Sequence, residues 1–209
     1  MRGLLIALEG PDGSGKTTQA SRLTSWLRTF HHDVVACRDP GGTELGERLR
    51  PILMDRTSTP ISMRSEMLLY MASRAQLVEE IITPAIGRGA IVVTDRYLLS
   101  NVVYQGYAGG LFSEDIWKVG LVATAGILPD LTLLIDVSPD VAEARIGPAR
   151  DRIEDRGPGY RVRVRQGYLD ALRSLSAPHT MIDGTLDPEI VEAQIRNEVQ
   201  LVLGNGSRT

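Results

Sequence analysis

The residues best suited to chemistry form a glycine-rich loop near the start of the chain. Residues 10–17, GPDGSGKT, fit the pattern G-x-x-x-x-G-K-[ST], between an apolar run and a helical pattern. Backbone N–H groups of such a loop surround a polyphosphate, and the following helix N-terminus adds partial positive charge. Lys16 is expected to reach the outer phosphates, and the Thr17 hydroxyl to face a magnesium ion. The loop predicts a nucleoside triphosphate site and leaves open what happens to the phosphate.

A second acidic element ends the third apolar run of the chain. Asp95 follows four apolar or β-branched residues, and Arg96 stands beside it. An aspartate at this place helps to hold magnesium in P-loop proteins, and an adjacent arginine can clamp a phosphate. The alternative is an ordinary strand-end aspartate that caps a turn, but the complete phosphate loop upstream favours the metal role. A glycine-rich turn over residues 39–43 follows the second apolar run, and Arg50 comes after it. This turn is weaker evidence for a ligand at the end of that run.

Two groups of polar side chains have the spacing needed to contact a base. Tyr70 and Arg74 are four residues apart, so a helix would place the ring and the guanidinium on one face. Asn101, Tyr104 and Gln105 also share a helical face and offer amide and hydroxyl groups. By spacing alone, the favoured alternative for the first group is a core tyrosine beside a surface arginine. For the second group it is an ordinary polar helix surface.

Arginines cluster after the fourth apolar run. Residues 145–156 contain four of them, between glycine–proline pairs at 147–148 and 157–158. A charged segment between such hinges predicts a mobile lid over about residues 146–158 that brings arginine to the transferring phosphoryl group. The alternative is a solvated loop of mixed charge, and the phosphate loop favours the lid.

Composition restricts the partners and the compartment. The chain has 209 residues, 43% of them hydrophobic, and a formal net charge of −3. It lacks the broad basic field of a nucleic-acid binder, so no nucleic-acid partner is expected. A single cysteine, Cys37, allows no internal disulfide, which fits a reducing compartment. Glu9 interrupts the first apolar run, which is too short for a membrane span. We expect a cytoplasmic protein with no membrane partner.

Short apolar runs alternate with helical patterns along the chain. The predicted strands are residues 4–8, 34–37, 91–94, 131–136 and 180–183. The predicted helices cover about residues 16–30, 44–54, 63–86 (broken near Pro84), 113–125, 138–146, 159–175 and 187–203. This alternation predicts one α/β domain over residues 1–204, with a parallel sheet covered on both faces and a frayed tail at 205–209. Ligands of such sheets bind at the carboxyl ends of the strands.

Several motifs occur in order along nearly the whole chain. They are EGPDGSGKTT at 9–18, RDPGGT at 38–43, ASRAQ at 72–76, DRY at 95–97, Ser100 with YQG at 104–106, LPDLT at 128–132 and DRIE at 151–154. In these motifs the chain resembles the bacterial thymidylate kinase family. The resemblance implies a three-layer α/β/α P-loop NTPase fold with a five-stranded parallel sheet, and a homodimer. It implies transfer of the γ-phosphoryl group of MgATP to dTMP, giving dTDP and ADP.

The resemblance also implies roles for individual residues. Lys16, Arg96 and Arg152 are the implied catalytic residues, and Thr17 and Asp95 the implied Mg²⁺ residues. The implied ATP-binding residues are Gly10, Pro11, Asp12, Gly13, Ser14, Gly15, Lys16, Thr17 and Thr18. The implied substrate-binding residues are Asp12, Arg50, Tyr70, Arg74, Arg96, Ser100, Asn101, Tyr104 and Gln105.

Within that set, the resemblance places Asp12 at the deoxyribose 3′-hydroxyl, Arg74 at the thymine carbonyl and Tyr70 against the base. Arg152 is favoured over Arg150 and Arg156 as the lid arginine. The chain departs from the family at Asp39, which stands where glutamate is more common and has a shorter reach toward a water or metal.

Phosphoryl transfer to a nucleotide needs no catalytic base, because the second ionisation of a phosphate monoester lies at about pH 6. Two other functions remain open on sequence alone. A kinase for another nucleotide or for a deoxynucleoside is one, and a nucleoside acceptor would require a base such as Glu9 or Asp95. The other is a nucleotide switch or partition-type P-loop protein, in which ATP binding drives association.

Overall fold

A five-stranded sheet forms the middle layer of the fold. The computed structural model describes residues 2–56, 59–147 and 151–206. The strands are β1 (Leu4–Glu9), β2 (Val34–Arg38), β3 (Ile91–Asp95), β4 (Leu131–Asp136) and β5 (His179–Asp183). Their order is β2-β3-β1-β4-β5, and every pairing is parallel. The predicted five-stranded parallel sheet is confirmed.

Helices connect the strands and cover both faces. They are α1 (Lys16–Thr29), α2 (Glu44–Met54), α3 (Met63–Leu77), α4 (Thr83–Gly87), α5 (Leu98–Asn101), α6 (Ser113–Ala123), α7 (Pro139–Arg145), α8 (Pro158–Arg173) and α9 (Pro188–Gly206). A π-helical segment, Val78–Ile82, joins α3 to α4, and another, Val102–Tyr107, extends α5. Hydroxyl caps begin three helices, since Thr43, Ser62 and Ser138 each accept a first-turn N–H.

The long helical pattern after residue 63 is interrupted earlier than predicted. We expected the break near Pro84, but the irregular turns lie at Val78–Ile82, and helical structure continues to Gly87. A proline lacks an N–H, and its ring crowds the carbonyl four residues back. The wider π-helical turns relieve that crowding, so the proline is accommodated without ending the helix.

Alternation along β1 divides the core between the two faces of the sheet. Leu5 and Ala7 pack on the side of α3 and α6, whereas Ile6 and Leu8 pack against α1 and α9. All four side chains are fully buried. Because strand side chains point alternately to opposite faces, both faces need a helical cover, and the three-layer α/β/α fold is confirmed. Within the described part of the chain, no helix has the length and apolar character to cross a membrane.

Candidate active site

A cavity of about 960 Å³ opens at the carboxyl ends of the strands. Its walls come from the loops after β1, β2 and β3 and from α1, α3 and α5. The structure brings all nine predicted substrate-binding residues to this cavity: Asp12, Arg50, Tyr70, Arg74, Arg96, Ser100, Asn101, Tyr104 and Gln105. Asp95 and six predicted ATP-binding residues also line it: Asp12, Gly13, Gly15, Lys16, Thr17 and Thr18. The two predicted ligand regions therefore share one space.

The phosphate loop is shaped by glycines in the left-handed region. Gly13 has φ 78° and Gly15 has φ 94°, values that cost other residues strain. Within this loop, Lys16 Nζ donates to the Pro11 carbonyl at 2.7 Å and lies 3.4 Å from Ser14 Oγ. Burial lowers the pKa of Lys16 to about 8, although Asp12 and Asp95 oppose that shift. The ammonium group thus contacts the loop's own backbone, and its contact with the outer phosphates of a nucleotide remains a prediction.

Thr17 and Asp95 form a hard-oxygen pair beside the loop. Thr17 Oγ1 donates to Asp95 Oδ2 at 2.5 Å, which joins the start of α1 to the end of β3. Among the described residues there is no cluster of three or more His, Cys, Asp or Glu able to hold a metal. Mg²⁺ is often bound by one or two protein oxygens together with phosphates and waters. The pair fits such an ion.

Arg96 connects the phosphate loop to the rest of the cavity. Its backbone has φ 72°, an unusual value for a residue other than glycine. Nη1 donates to the Gly10 carbonyl at 3.0 Å, to Ser100 Oγ at 3.1 Å and to the Tyr168 hydroxyl at 2.9 Å. Nη2 forms an ion pair with Asp12. These contacts hold one guanidinium in a single position at the cavity wall.

Asp12 lies between two cations. Burial alone would raise the pKa of its carboxyl, but Arg96, Lys16 and a hydrogen bond from Tyr104 bring it below the ordinary value. The Tyr104 hydroxyl donates to Asp12 Oδ2 at 2.8 Å. The carboxylate is therefore ionised and available as a hydrogen-bond acceptor at neutral pH.

Glu9 is fully buried and contacts residues of the site, although the sequence pointed to it only as a possible base for a nucleoside acceptor. Its Oε1 accepts from the Tyr97 N–H at 2.8 Å, and Oε2 accepts from Ser100 Oγ at 2.6 Å and Tyr168 OH at 3.2 Å. Burial raises the pKa of Glu9, whereas the Ser100 bond and Arg96 lower it. The signal in the sequence was an acid at the end of an otherwise apolar strand. Tyr168 on α8 left no comparable signal.

Arg74 is buried against Asp39. Arg74 Nε and Asp39 Oδ2 form an ion pair whose side chains are 1% and 0% exposed. The remaining guanidinium nitrogens contact Met71 Sδ at 3.2 Å and the Tyr97 carbonyl at 3.3 Å. Burial raises the pKa of Asp39, and Arg74 opposes that shift. The aspartate that departs from the family pattern therefore reaches Arg74.

An amide pair lines the same cavity as Tyr70. Asn101 Nδ2 donates to Gln105 Oε1 at 2.9 Å, and Gln105 Nε2 donates to Glu66 Oε1 at 2.9 Å. Within the described structure, Asn101 Oδ1 is buried and has no hydrogen-bond partner. A buried acceptor without a partner is costly unless a ligand supplies the donor.

Arg152 and Arg156 of the predicted lid do not line the cavity, whereas Arg50 does. Arg50 lines the cavity and donates to the Pro40 carbonyl at 2.8 Å. Arg152 is not among the cavity-lining residues, and its Nη2 donates to Glu66 Oε2 at 2.6 Å. Arg156 bonds the same oxygen. Arg150 lies outside the described residues. A catalytic role for Arg152 remains a prediction.

A strand that leads into a phosphate loop, an aspartate at the end of β3 and arginines around an adjoining pocket define a P-loop NTPase-fold protein with space for a second ligand. The family model for thymidylate kinase matches residues 8–195, and the chain belongs to that family.

Full-length relatives agree with this assignment. The chain is 42% identical over 201 residues to a thymidylate kinase of Caldanaerobacter subterraneus subsp. tengcongensis, covering 96% of each chain. It is 40% identical over 210 residues to one of Clavibacter michiganensis subsp. michiganensis, covering 99% of each chain. It is also 40% identical over 203 residues to one of Bifidobacterium longum, covering 96% of this chain and 98% of the relative.

Proposed function

We propose that this chain is a dTMP kinase, which transfers the γ-phosphoryl group of ATP to dTMP and releases dTDP and ADP for dTTP synthesis. The observation that supports it best is Arg96. Its guanidinium bonds the phosphate loop at Gly10 and Asp12 and lines the same cavity as Tyr70 and Arg74. One fixed cation thus lies between a triphosphate site and a base pocket.

The chemistry asked of these residues is positioning and charge cancellation. The dTMP phosphate is already anionic at neutral pH, so no proton has to be removed from it. Lys16, Arg96 and, as a further proposal, Arg152 offset the repulsion between donor and acceptor phosphates. Mg²⁺, held by Thr17 and Asp95, would neutralise charge on the donor phosphates.

The amide and guanidinium groups of the pocket suit thymine. We propose that Arg74 donates to the thymine O4 carbonyl and that Tyr70 packs against the ring. Asn101 Oδ1 is the buried acceptor that would receive the N3–H of thymine. Cytosine has no N3–H and has an amino group at position 4, so it would face an acceptor and a donor that it cannot match.

The residues argue against a deoxynucleoside acceptor. A hydroxyl acceptor needs a base, yet Glu9 is fully buried with both oxygens occupied, and Asp95 is bonded to Thr17. A nucleotide switch would have no use for the second pocket, with its buried Arg74 and its unpartnered acceptor Asn101 Oδ1.

An ADP-release assay with dTMP, dUMP, dCMP, dGMP and thymidine tests the proposal. We expect turnover that depends on the acceptor and is fastest with dTMP. A preference for thymidine over dTMP would identify a nucleoside kinase instead. ATP turnover that no nucleoside monophosphate changes would favour the switch function.

We also propose a cytoplasmic homodimer without a nucleic-acid partner, as the family resemblance and the composition suggest. Sedimentation velocity tests the dimer, which should appear at about twice the mass of one chain. Cell fractionation tests the location.

A further inference from the structure

Glu66 joins two parts of the molecule that are distant in sequence. This side chain of α3 is fully buried and does not line the cavity. Its Oε1 accepts from Gln105 Nε2, 39 residues away, and its Oε2 accepts from Arg152 Nη2, 86 residues away. Arg156 also bonds Oε2. The carboxylate thus connects the amide pair of the pocket to the arginines that follow β4.

The carboxylate determines which way the neighbouring amides point. Arginine only donates hydrogen bonds, so a carboxylate paired with two guanidinium groups acts as an acceptor. Gln105 must then turn its NH₂ group toward Glu66 and its carbonyl toward Asn101. Asn101 must in turn offer NH₂ to Gln105.

Glu66, Gln105 and Asn101 thus form a relay of hydrogen bonds, and the last group in this relay is Asn101 Oδ1. Because the NH₂ group of Asn101 is held by Gln105, its oxygen is left buried without a hydrogen-bond partner in the described structure, on a residue that lines the cavity. If Gln105 were turned around, Asn101 would rotate as well and would present a donor at this point. Glu66, which acts through Gln105 and Asn101, therefore determines that the pocket presents a hydrogen-bond acceptor to the ligand.

We propose that Glu66 is a positioning residue that determines base selectivity: as an obligatory acceptor it orients Gln105 and Asn101 so that the pocket accepts the N3–H of thymine. The inference rests on the proposed function, since dTMP is taken as the acceptor substrate. Glu66 itself does not touch the substrate.

The test is the ratio of kcat/KM for dTMP to kcat/KM for dCMP in the full-length Glu66→Gln variant. A glutamine at this position can donate to Gln105 Oε1, which permits the reversed relay. Since a hydrogen-bonding site rejects a mismatched analogue strongly, we expect the ratio to fall by about tenfold or more. Equal losses for dTMP and dCMP, or an unchanged ratio, would mean that Glu66 is merely structural.

Glu192→Gln is the matched control. Glu192 also bridges two arginines, Arg22 and Arg196, but it lies on α9 and does not line the cavity. This variant should keep the wild-type ratio. A similar fall in Glu192→Gln would attribute the effect to general loss of ion pairs and overturn the proposal.

Gln105→Met decides the question if Glu66→Gln fails to fold. It leaves the ion pairs of Glu66 intact and removes the group that holds the Asn101 amide. The ratio should again fall about tenfold, and a preserved ratio would contradict the relay. Absence of dTMP phosphorylation by the wild type would refute the proposed function, whereas normal wild-type selectivity with an unaltered Glu66→Gln ratio would refute only the relay.

Discussion

At the scale of single residues, the site depends on charges held out of water. Lys16, Arg74 and Arg96 are all buried or nearly so, and each has a carboxylate or carbonyl partner. Charges in such surroundings interact more strongly than at a surface, since water screens them less. The same burial makes each of them expensive to leave unpaired.

Lys16 should make ATP binding dependent on pH. Burial lowers its pKa from 10.5 to about 8, so the ammonium form is lost as the pH rises through about 8. ATP affinity should then fall by up to about tenfold per pH unit. Titration calorimetry at pH 9 in two buffers should detect proton uptake on ATP binding. Lys16→Met should bind weakly at every pH and show neither effect.

The same shift has a defined sign for folding. Between pH 8 and 10.5 the unfolded chain holds the Lys16 proton more tightly than the folded chain does. The contribution of Lys16 to the free energy of unfolding therefore rises with pH across this window. The contribution of Lys16 to stability is least favourable below pH 8.

The Arg74–Asp39 pair should separate stability from substrate binding. Arg74→Gln leaves the Asp39 carboxylate buried without its cation, which should lower the free energy of unfolding by about 3–5 kcal/mol. Adding Asp39→Asn removes the unpaired charge and should restore part of that loss. The KM for dTMP should remain high in both variants, because both lack the guanidinium. Urea unfolding and steady-state kinetics measure the two effects, and a double variant with normal KM would contradict the role of Arg74.

At the scale of elements, strand ends and helix starts place the functional groups. β1 delivers the phosphate loop, β2 delivers Asp39, and β3 delivers Asp95 and Arg96. The π-helical segment Val102–Tyr107 brings Tyr104 and Gln105 into the site with their side chains buried. Such segments are frequent at functional sites. Parallel register is what sets these groups side by side.

Two loop glycines should differ in how much they tolerate a side chain. A Cβ at Gly13 would lie 2.5 Å from the Ala142 carbonyl oxygen of α7, whereas a Cβ at Gly15 meets nothing within 4 Å. Both sites have positive φ, so Gly15→Ala should cost about 1–2 kcal/mol from backbone strain alone. Gly13→Ala should cost more, because rigid backbone must also move. Denaturant unfolding of the two variants without nucleotide tests this, and equal losses would contradict it.

At the scale of the whole molecule, one cavity joins the carboxyl ends of β1, β2 and β3. Its walls include residues from 12 to 154, so a ligand there contacts segments far apart in the chain. Binding must therefore oppose global unfolding.

Saturating dTMP should raise the unfolding temperature. A ligand at about 100 times its Kd stabilises the folded state by about 2.7 kcal/mol. For a chain of this size each kcal/mol corresponds to roughly 2–4 °C, which gives an increase of about 5–10 °C. Differential scanning fluorimetry measures it. The same concentration of dCMP should raise the unfolding temperature clearly less. An increase as large as that with dTMP would contradict the thymine pocket.

Much of the fold follows from local pattern. Apolar runs such as residues 91–94 identified the three central strands to within a residue at either end, because buried parallel strands are continuously apolar. The edge strands β2 and β5 are partly exposed and less apolar, yet their predicted bounds also lie within a residue of the observed ones. The helical pattern misplaced the irregularity near Pro84, because the accommodation occurs several residues earlier. Residues that follow a strand were expected at its carboxyl edge, where the structure puts Asp12, Asp95 and Arg96.

The sequence by itself determined the phosphate loop, the alternation of strands and helices and the family, since these depend on residue types at short spacing. Only the tertiary structure decided that Tyr168 reaches Glu9, 159 residues away, that Asp39 pairs with Arg74, and that Glu66 holds Arg152. Each of these contacts joins elements that meet through packing of the three layers, and no local pattern specifies such a meeting. The phosphate-loop motif indicated the phosphoryl donor, whereas the pocket for the phosphoryl acceptor forms only through tertiary packing.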